Sequence, residues 1–110
     1  MDIDKSRTEL ITRFLNESLT DDDVRIFIPQ SRVIDRTLIP KTYRGRNEIV
    51  AYCQSRNKQW LSPVFESIQR LGQDTYSATA SIKIMKMPVR ISVTLTFVPD
   101  SLYIEEIVIR

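Results

Sequence analysis

Any chemistry in this chain has to run on carboxylates, tyrosines or lysines. Histidine is absent and Cys53 is the single cysteine. That removes the Ser-His-Asp arrangement, the commonest general base and an internal disulfide framework, and it leaves no ligand set for zinc. The glycines are Gly45 and Gly72 alone, too few for a phosphate-cradling loop or a dinucleotide fingerprint. The Asp21-Asp22-Asp23 run lacks the further oxygen ligands and the glycine that a calcium loop needs at fixed offsets, so it is expected to be a solvated turn. Glu105 and Glu106 are adjacent near the end of the chain. Alternation along a strand sends them to opposite faces, so one of them is expected to face inward or lie at the sheet rim as a candidate acid. Cys53, with no histidine or second cysteine to activate it, is expected to be an inert core thiol. No metal and no cofactor is expected.

These residues must be held by a small set of elements. Leu10, Ile11, Phe14, Leu15 and Leu19 recur at helical spacing, which predicts a helix over 6–19, with Ser6 and Glu9 as a capping box. After the acidic turn, a short turn of helix through Val24–Phe27 ends at Pro29 and Gln30. Arg32–Leu38 reads as a first short strand and Thr42-Tyr43-Arg44 as a second. Ile49, Val50, Cys53 and Trp60 predict a helix over 46–60, stopped by Pro63. The period then changes to two. Val64–Leu71, Thr75–Lys86, a strand through Val89, Ile91, Val93, Leu95 and Phe97, and Leu102–Ile109 read as four strands in a meander. Turns fall at Gly72, at Met87-Pro88 and at Pro99-Asp100-Ser101. Helices in one part and antiparallel strands in another make the class α+β.

The 110 residues form one domain, 1–110, and the net charge of +2 is too balanced to argue for nucleic acid by itself. Lys41, Arg44, Arg46, Arg56 and Lys58 do not fall on one helical stripe, so nucleic acid is not an expected partner. No apolar run approaches the length of a membrane span, and the charged opening Met1-Asp2-Ile3-Asp4-Lys5 is not a secretion signal. The expectation is an intracellular protein, cytoplasmic or nuclear.

The element order, with Thr42-Tyr43-Arg44-Gly45-Arg46-Asn47-Glu48-Ile49 between the second strand and the second helix, resembles the nuclear transport factor 2-like superfamily, which includes the SnoaL and ketosteroid isomerase-like proteins. Members carry a Tyr/Phe-x-Gly-Arg/Lys-x-x-Ile step at that place. The resemblance implies a cone: a curved, mostly antiparallel sheet wrapped around N-terminal helices, with a pocket between them and frequent dimers through the outer sheet face. It does not imply one activity.

Within that resemblance Asp35 looks like the general-base aspartate of ketosteroid isomerase. The family's oxyanion donors fall at Phe14 and near Val93, and neither can donate a side-chain hydrogen bond. Whether the chain is an enzyme is therefore undecided, with the balance against. The bland alternative pairs Asp35 with Arg32, Arg36 or Arg44. Phe14, Tyr43, Trp60, Phe65, Phe97 and Tyr103 are candidate pocket residues. Ser81, Lys83, Met85, Arg90, Ser92, Thr94 and Thr96 are the candidate interface on the outer sheet face, fit for a homodimer or heterodimer. The leading expectation is a non-catalytic interaction domain that helps assemble a larger complex with a protein partner. The alternative is a small-molecule-binding protein or enzyme, of isomerase, cyclase or hydrolase kind, that uses Asp35 on an apolar ligand.

Overall fold

The computed structural model describes residues 2–16, 19–37, 39–59, 61–84 and 86–110, with backbone alone at 57–59, 61–65 and 84. The first helix, α1, runs Ile3–Leu15, and it starts earlier than the capping box at Ser6 predicts. Asp2 is the cap: its carboxylate accepts from the Lys5 backbone N–H at 3.2 Å and satisfies one of the helix's unpaired donors. Leu10, Ile11, Phe14 and Leu15 are buried as their spacing requires, and Arg7 is buried with them.

A single 3-10 turn, Asp23–Ile26, leads into β1, Phe27–Asp35. This strand begins before Pro29 rather than after it. Pro29 is tolerated because β2, Lys41–Arg44, pairs only with Arg32 to Asp35, and the pairing with the last strand is irregular between Phe27 and Arg32. No ladder bond is asked of the missing N–H. The buried Ser31 hydroxyl spans the irregular stretch: it accepts from the Ile28 N–H at 2.9 Å and donates to the Ile104 carbonyl.

Gly45 opens α2, Gly45–Gln59, with φ of +78°. A Cβ there would meet only ordinary contact, the Pro29 carbonyl at 3.8 Å. The left-handed backbone, not lack of space, is therefore what favours glycine. The buried face of α2 is Ile49, Tyr52 and Arg56, while Val50 and Cys53 are only half-buried. Of the three buried side chains described on α2, two have polar tips, so apolar spacing alone misplaces the stripe.

Four strands complete the sheet: β3, Leu61–Arg70; β4, Thr75–Ile84; β5, Met87–Phe97; and β6, Ile104–Ile109. Met87 and Pro88 belong to β5 and pair with Ile84 and Lys83, so the expected turn there is displaced to Lys86, whose φ is +67°. The six strands lie in the order β2-β1-β6-β5-β4-β3. All neighbours are antiparallel except β1 and β6, which are parallel. This is a curved α+β sheet with its inner face against the helices, and it does not close. Tyr76, Ala78, Ala80, Ile82, Ile91, Val93, Leu95, Phe97, Ile107 and Ile109 line the inner face, and all are buried.

One glutamate is expected to face inward or lie at the sheet rim, and the inward placement is corrected by a bulge. Thr96 pairs with Glu106 and Phe97 with Ile104, so Glu105 is the extra residue. Glu105 is exposed, and Glu106 lies on the outer face in an ion pair with Arg32.

Candidate functional site

β1 ends at a local turn made by its own last residue. One carboxylate oxygen of Asp35 accepts from the Thr37 backbone N–H at 2.9 Å and from the Thr37 hydroxyl at 2.6 Å. An aspartate that bonds two residues ahead in this way turns the chain toward β2. The other oxygen accepts from the Tyr52 hydroxyl at 2.7 Å. Asp35 lies on the inner face, two residues on from the buried Val33, and α2 brings Tyr52 down onto it. None of the three arginines named for it on sequence grounds is its partner in these hydrogen bonds.

The carboxylate sits in a cleft of about 340 Å³ between α2 and the β1–β2 connection, lined also by Ile39, Lys41, Tyr43, Ser55 and Arg56. The Tyr43 and Tyr52 rings pack at 4.6 Å between centroids, tilted by 41°. The Lys41 ammonium lies 5.3 Å from the Tyr43 ring centroid. Arg56 stands behind, stacked 4.2 Å over the Phe14 ring and donating to the Phe14 carbonyl at 2.6 Å. That carbonyl belongs to the last turn of α1, where the helix dipole favours a cation.

Burial pushes the Tyr52 hydroxyl well above the ordinary tyrosine range, and the Asp35 carboxylate that it donates to pushes the same way, while the Arg56 charge opposes them. Tyr52 therefore keeps its proton and holds Asp35 as an acceptor. The linkage has a definite sign. A phenol whose pKa rises on folding contributes its full stability below the unfolded value of about 10, and that contribution is lost as pH climbs above it. Denaturant unfolding of the wild type and of Tyr52→Phe is expected to give a stability gap that is constant up to about pH 9.5. The gap then narrows by up to about 1.4 kcal/mol per pH unit. A gap that stays constant to about pH 11 would mean that Tyr52 ionises as easily in the fold as in the unfolded chain.

The remaining candidates are scattered. Phe14 and Phe97 are buried around a void of only about 10 Å³, room for one water at most. Val93 is fully buried as well. Tyr103 is exposed at a different groove, beside Arg25 and Leu102. Trp60, Phe65, Met85 and Lys58 lie outside the residues whose side chains are described. Of the pocket residues expected from the sequence, Tyr43 alone is placed beside Asp35 among those described.

The basic group is dispersed. Arg56 is buried, Lys41 is at the cleft, and Arg46 donates to the Phe27 carbonyl at 2.9 Å. The acidic turn is not merely solvated, since Asp23 accepts a two-pronged contact from Arg13 at 2.9 and 3.0 Å. Among the described residues no group of acidic, histidine or cysteine side chains could hold a metal ion, and no helix is long and apolar enough to cross a membrane.

Sequence reasoning missed Tyr52 and Thr37. Thr37 carried a signal, because an aspartate two residues before a threonine at a strand end is a turn former. Tyr52 carried only its place three residues after Ile49, which reads as core.

On the outer face, Ser81 pairs with Arg90, Lys83 with Pro88, Ser77 with Thr94 and Thr75 with Thr96. Glu66 joins them, accepting from Ser81 at 2.8 Å and from Arg90 at 2.8 and 2.9 Å.

No family model and no curated protein matches this sequence. Solved structures do match. A designed protein with a curved β-sheet superposes with a TM-score of 0.77 at 12% identity, covering 99% of this chain and 86% of its own. A steroid delta-isomerase from Pseudomonas aeruginosa gives 0.75 at 11% identity, covering 93% and 73%. A candidate SnoaL-like polyketide cyclase from Shewanella denitrificans gives 0.64 at 18% identity, covering 94% and 88%. At these identities the likeness is one of fold. The fold is the α+β cone expected from the resemblance, and it is shared with proteins described as a SnoaL-like polyketide cyclase, a ketosteroid isomerase-like protein and a steroid delta-isomerase.

Proposed function

We propose that this protein binds a small organic molecule in the Asp35 cleft, with the Asp35 carboxylate as the acceptor of a ligand hydrogen bond or proton. One observation carries the reading. A half-buried carboxylate at the open end of the sheet is held by donors on both oxygens, Tyr52 on one side and Thr37 on the other. Fixing an acceptor in place before the ligand arrives is what a binding or proton-transfer site requires. Proteins described as a steroid delta-isomerase and as SnoaL-like polyketide cyclases share the fold, which supports a small-molecule role over the assembly role. The assembly reading rested on the missing oxyanion donors at Phe14 and near Val93, and it did not reckon with the Tyr52 hydroxyl beside Asp35.

Native mass spectrometry of the protein isolated gently from its own source tests this. A reproducible small-molecule adduct is expected. A bare mass at every preparation, with no small molecule released on denaturation, would sink the reading.

A second proposal concerns the opposite face, which suits burial against a second copy of the chain. Its centre, Ser77, Thr79, Ser92 and Thr94, is half-buried and uncharged. Two of its arginines are paired, Arg32 with Glu106 and Arg90 with Glu66, and the exposed Lys83 lies toward its edge, paired with Pro88 in the ladder. The uncharged centre of such a face can be covered without burying a charge. Thr94→Arg is expected to convert a dimeric mass to a monomeric one in light scattering. A mass unchanged by the substitution would rule this face out.

A further inference from the structure

The hydrogen bonds already made to Asp35 limit what a ligand can add. An ionised carboxylate has about four acceptor places, shared equally by its oxygens. One oxygen takes both the Thr37 backbone N–H at 2.9 Å and the Thr37 hydroxyl at 2.6 Å, so it is full. The other takes the Tyr52 hydroxyl at 2.7 Å and has a single place left. A forked donor, such as a guanidinium, an amidine or a urea, needs a place on each oxygen. It finds the Thr37 side closed. A lone donor finds what it needs on the Tyr52 side.

The charge at the mouth points the same way. Lys41 is the partner of Asp35 across the β1–β2 ladder, and residues directly opposite share a face of the sheet. Lys41 is exposed at the lip, with its ammonium 5.3 Å from the Tyr43 ring centroid. A cationic ligand at Asp35 would stand beside that ammonium and be repelled by it, whereas a neutral one would not. At the mouth stand Pro40 and Ile39, the latter 84% exposed. With the Tyr43 ring they give an apolar body something to lie against.

Resting on the small-molecule reading above, we infer that the ligand is a neutral alcohol with an apolar body, recognised through one O–H, and that Thr37 sets this preference. The ligand hydroxyl donates to the oxygen of Asp35 that Tyr52 also holds, and its body lies against Tyr43 and Ile39. The Tyr52–Asp35 and Thr37–Asp35 bonds stay in place when such a ligand is bound. Thr37 thus does more than orient the carboxylate. Its hydroxyl occupies the place that a second ligand donor would need, and so determines specificity.

The test uses matched probes that share a benzyl group, on the full chain. They are benzyl alcohol, benzyl methyl ether (which lacks the donor), benzylurea (a neutral fork) and benzylamine (a cation). Binding is read from the ring signals of Tyr43 and Tyr52 by NMR titration. Benzyl alcohol is expected to bind with a Kd of about 5 mM. The ether is expected to bind at least about tenfold more weakly, since it cannot donate to the charged acceptor. The urea and the amine are expected to fall below the alcohol as well. Thr37→Val keeps the branched shape and the backbone N–H but opens a place on the filled oxygen. It should raise the affinity of the urea relative to the alcohol by about three- to tenfold. Both ligands are read on one protein, so a general loss of structure cancels from their ratio. Lys41→Met should raise the amine relative to the alcohol.

If the ether, the urea or the amine binds the wild type as tightly as the alcohol, the neutral single-donor class is overturned while the small-molecule site stands. A urea-to-alcohol ratio unchanged in Thr37→Val overturns the role of Thr37, and an amine-to-alcohol ratio unchanged in Lys41→Met overturns the charge preference. Should Thr37→Val not fold, the ranking of the probes on the wild type decides. If no probe moves the Tyr43 and Tyr52 signals, the class is likewise overturned, and the native adduct alone decides the parent reading.

Discussion

Asparagine in place of Asp35 is expected to weaken ligand binding by about 10- to 100-fold and to leave the fold standing. The size follows from what is lost: a hydrogen bond to a charged acceptor is worth about 1.5–3 kcal/mol, against about 1 kcal/mol for a neutral one. The direction follows from geometry. The Thr37 backbone N–H can only donate, so the amide oxygen of an asparagine must face it. The amide NH2 then faces Tyr52, whose hydroxyl becomes the acceptor and swings its own proton elsewhere. The local bonds are re-formed in another sense, so stability should fall by only about 1 kcal/mol. The cleft, however, now presents donors where the ligand also brings a donor. If the protein turns its ligand over with Asp35 as the base, the rate should fall by about 10²–10⁴. Occupancy of the native adduct in the two proteins, at equal concentration, gives the answer. Equal occupancy would remove Asp35 from any account of function.

The largest effect on stability is expected at Arg7, far from the cleft. Its side chain is 3% exposed. Nε donates to the Ser101 carbonyl at 2.9 Å, Nη1 to the Gln73 carbonyl at 3.2 Å, and Nη2 to Asp74 at 3.0 Å and to the Val98 carbonyl at 3.3 Å. The guanidinium also lies 4.7 Å over the Phe97 ring. One side chain from α1 thus fastens both the β3–β4 and the β5–β6 turns. Arg7→Met keeps most of the packing on Phe97 but removes a donor from three carbonyls and from a carboxylate, although the Gln73 carbonyl keeps Arg70 and the Val98 carbonyl keeps Ser101.

Removing one member of a buried ion pair costs about 3–5 kcal/mol, a large part of the 5–15 kcal/mol that holds a typical domain together. A Tm lowered by roughly 15 °C or more is expected. Arg7→Lys should recover little, because a single ammonium cannot fork to acceptors on two turns. A loss of under about 1 kcal/mol in urea unfolding would mean that the turns are held by their own backbone bonds.

Arg7 was readable in part. It lies three and seven residues before Leu10 and Phe14, so the apolar stripe of α1 already includes a charged position. What it would bind could not be read, because its acceptors lie 66 to 94 residues away. The long strands were readable because period-two alternation is a local property: β4 follows it through its described side chains, and β5 from Ile91 to Phe97, after four exposed residues at its start. The start of β1 was not. Pro29 and Gln30 punctuate a sequence wherever they stand, and only the absence of a β2 neighbour makes them harmless there. The glutamate pair failed for a related reason, since an inserted residue resets the alternation on which the inference rests. In the cleft, Asp35 was found by resemblance, but its true partner was hidden. A tyrosine on the buried face of a helix looks like packing until the hydroxyl at its tip is placed beside an acid from another element.

The parallel pairing of β1 with β6 has a bearing on how the chain reaches this shape. Every other strand contact joins sequence neighbours: β1 with β2, β3 with β4, β4 with β5, and β5 with β6. Two sub-assemblies can therefore form early from local contacts, one from β1, β2 and α2, the other from β3 to β5. Neither contains the complete sheet. β6 is the seam between them and the last of the six strands to be synthesised, so until it emerges β1 waits with one long edge uncovered. Loop closure over so many residues is slow. The nascent chain's exposure to mispairing is thus concentrated on β1, the strand that carries Asp35.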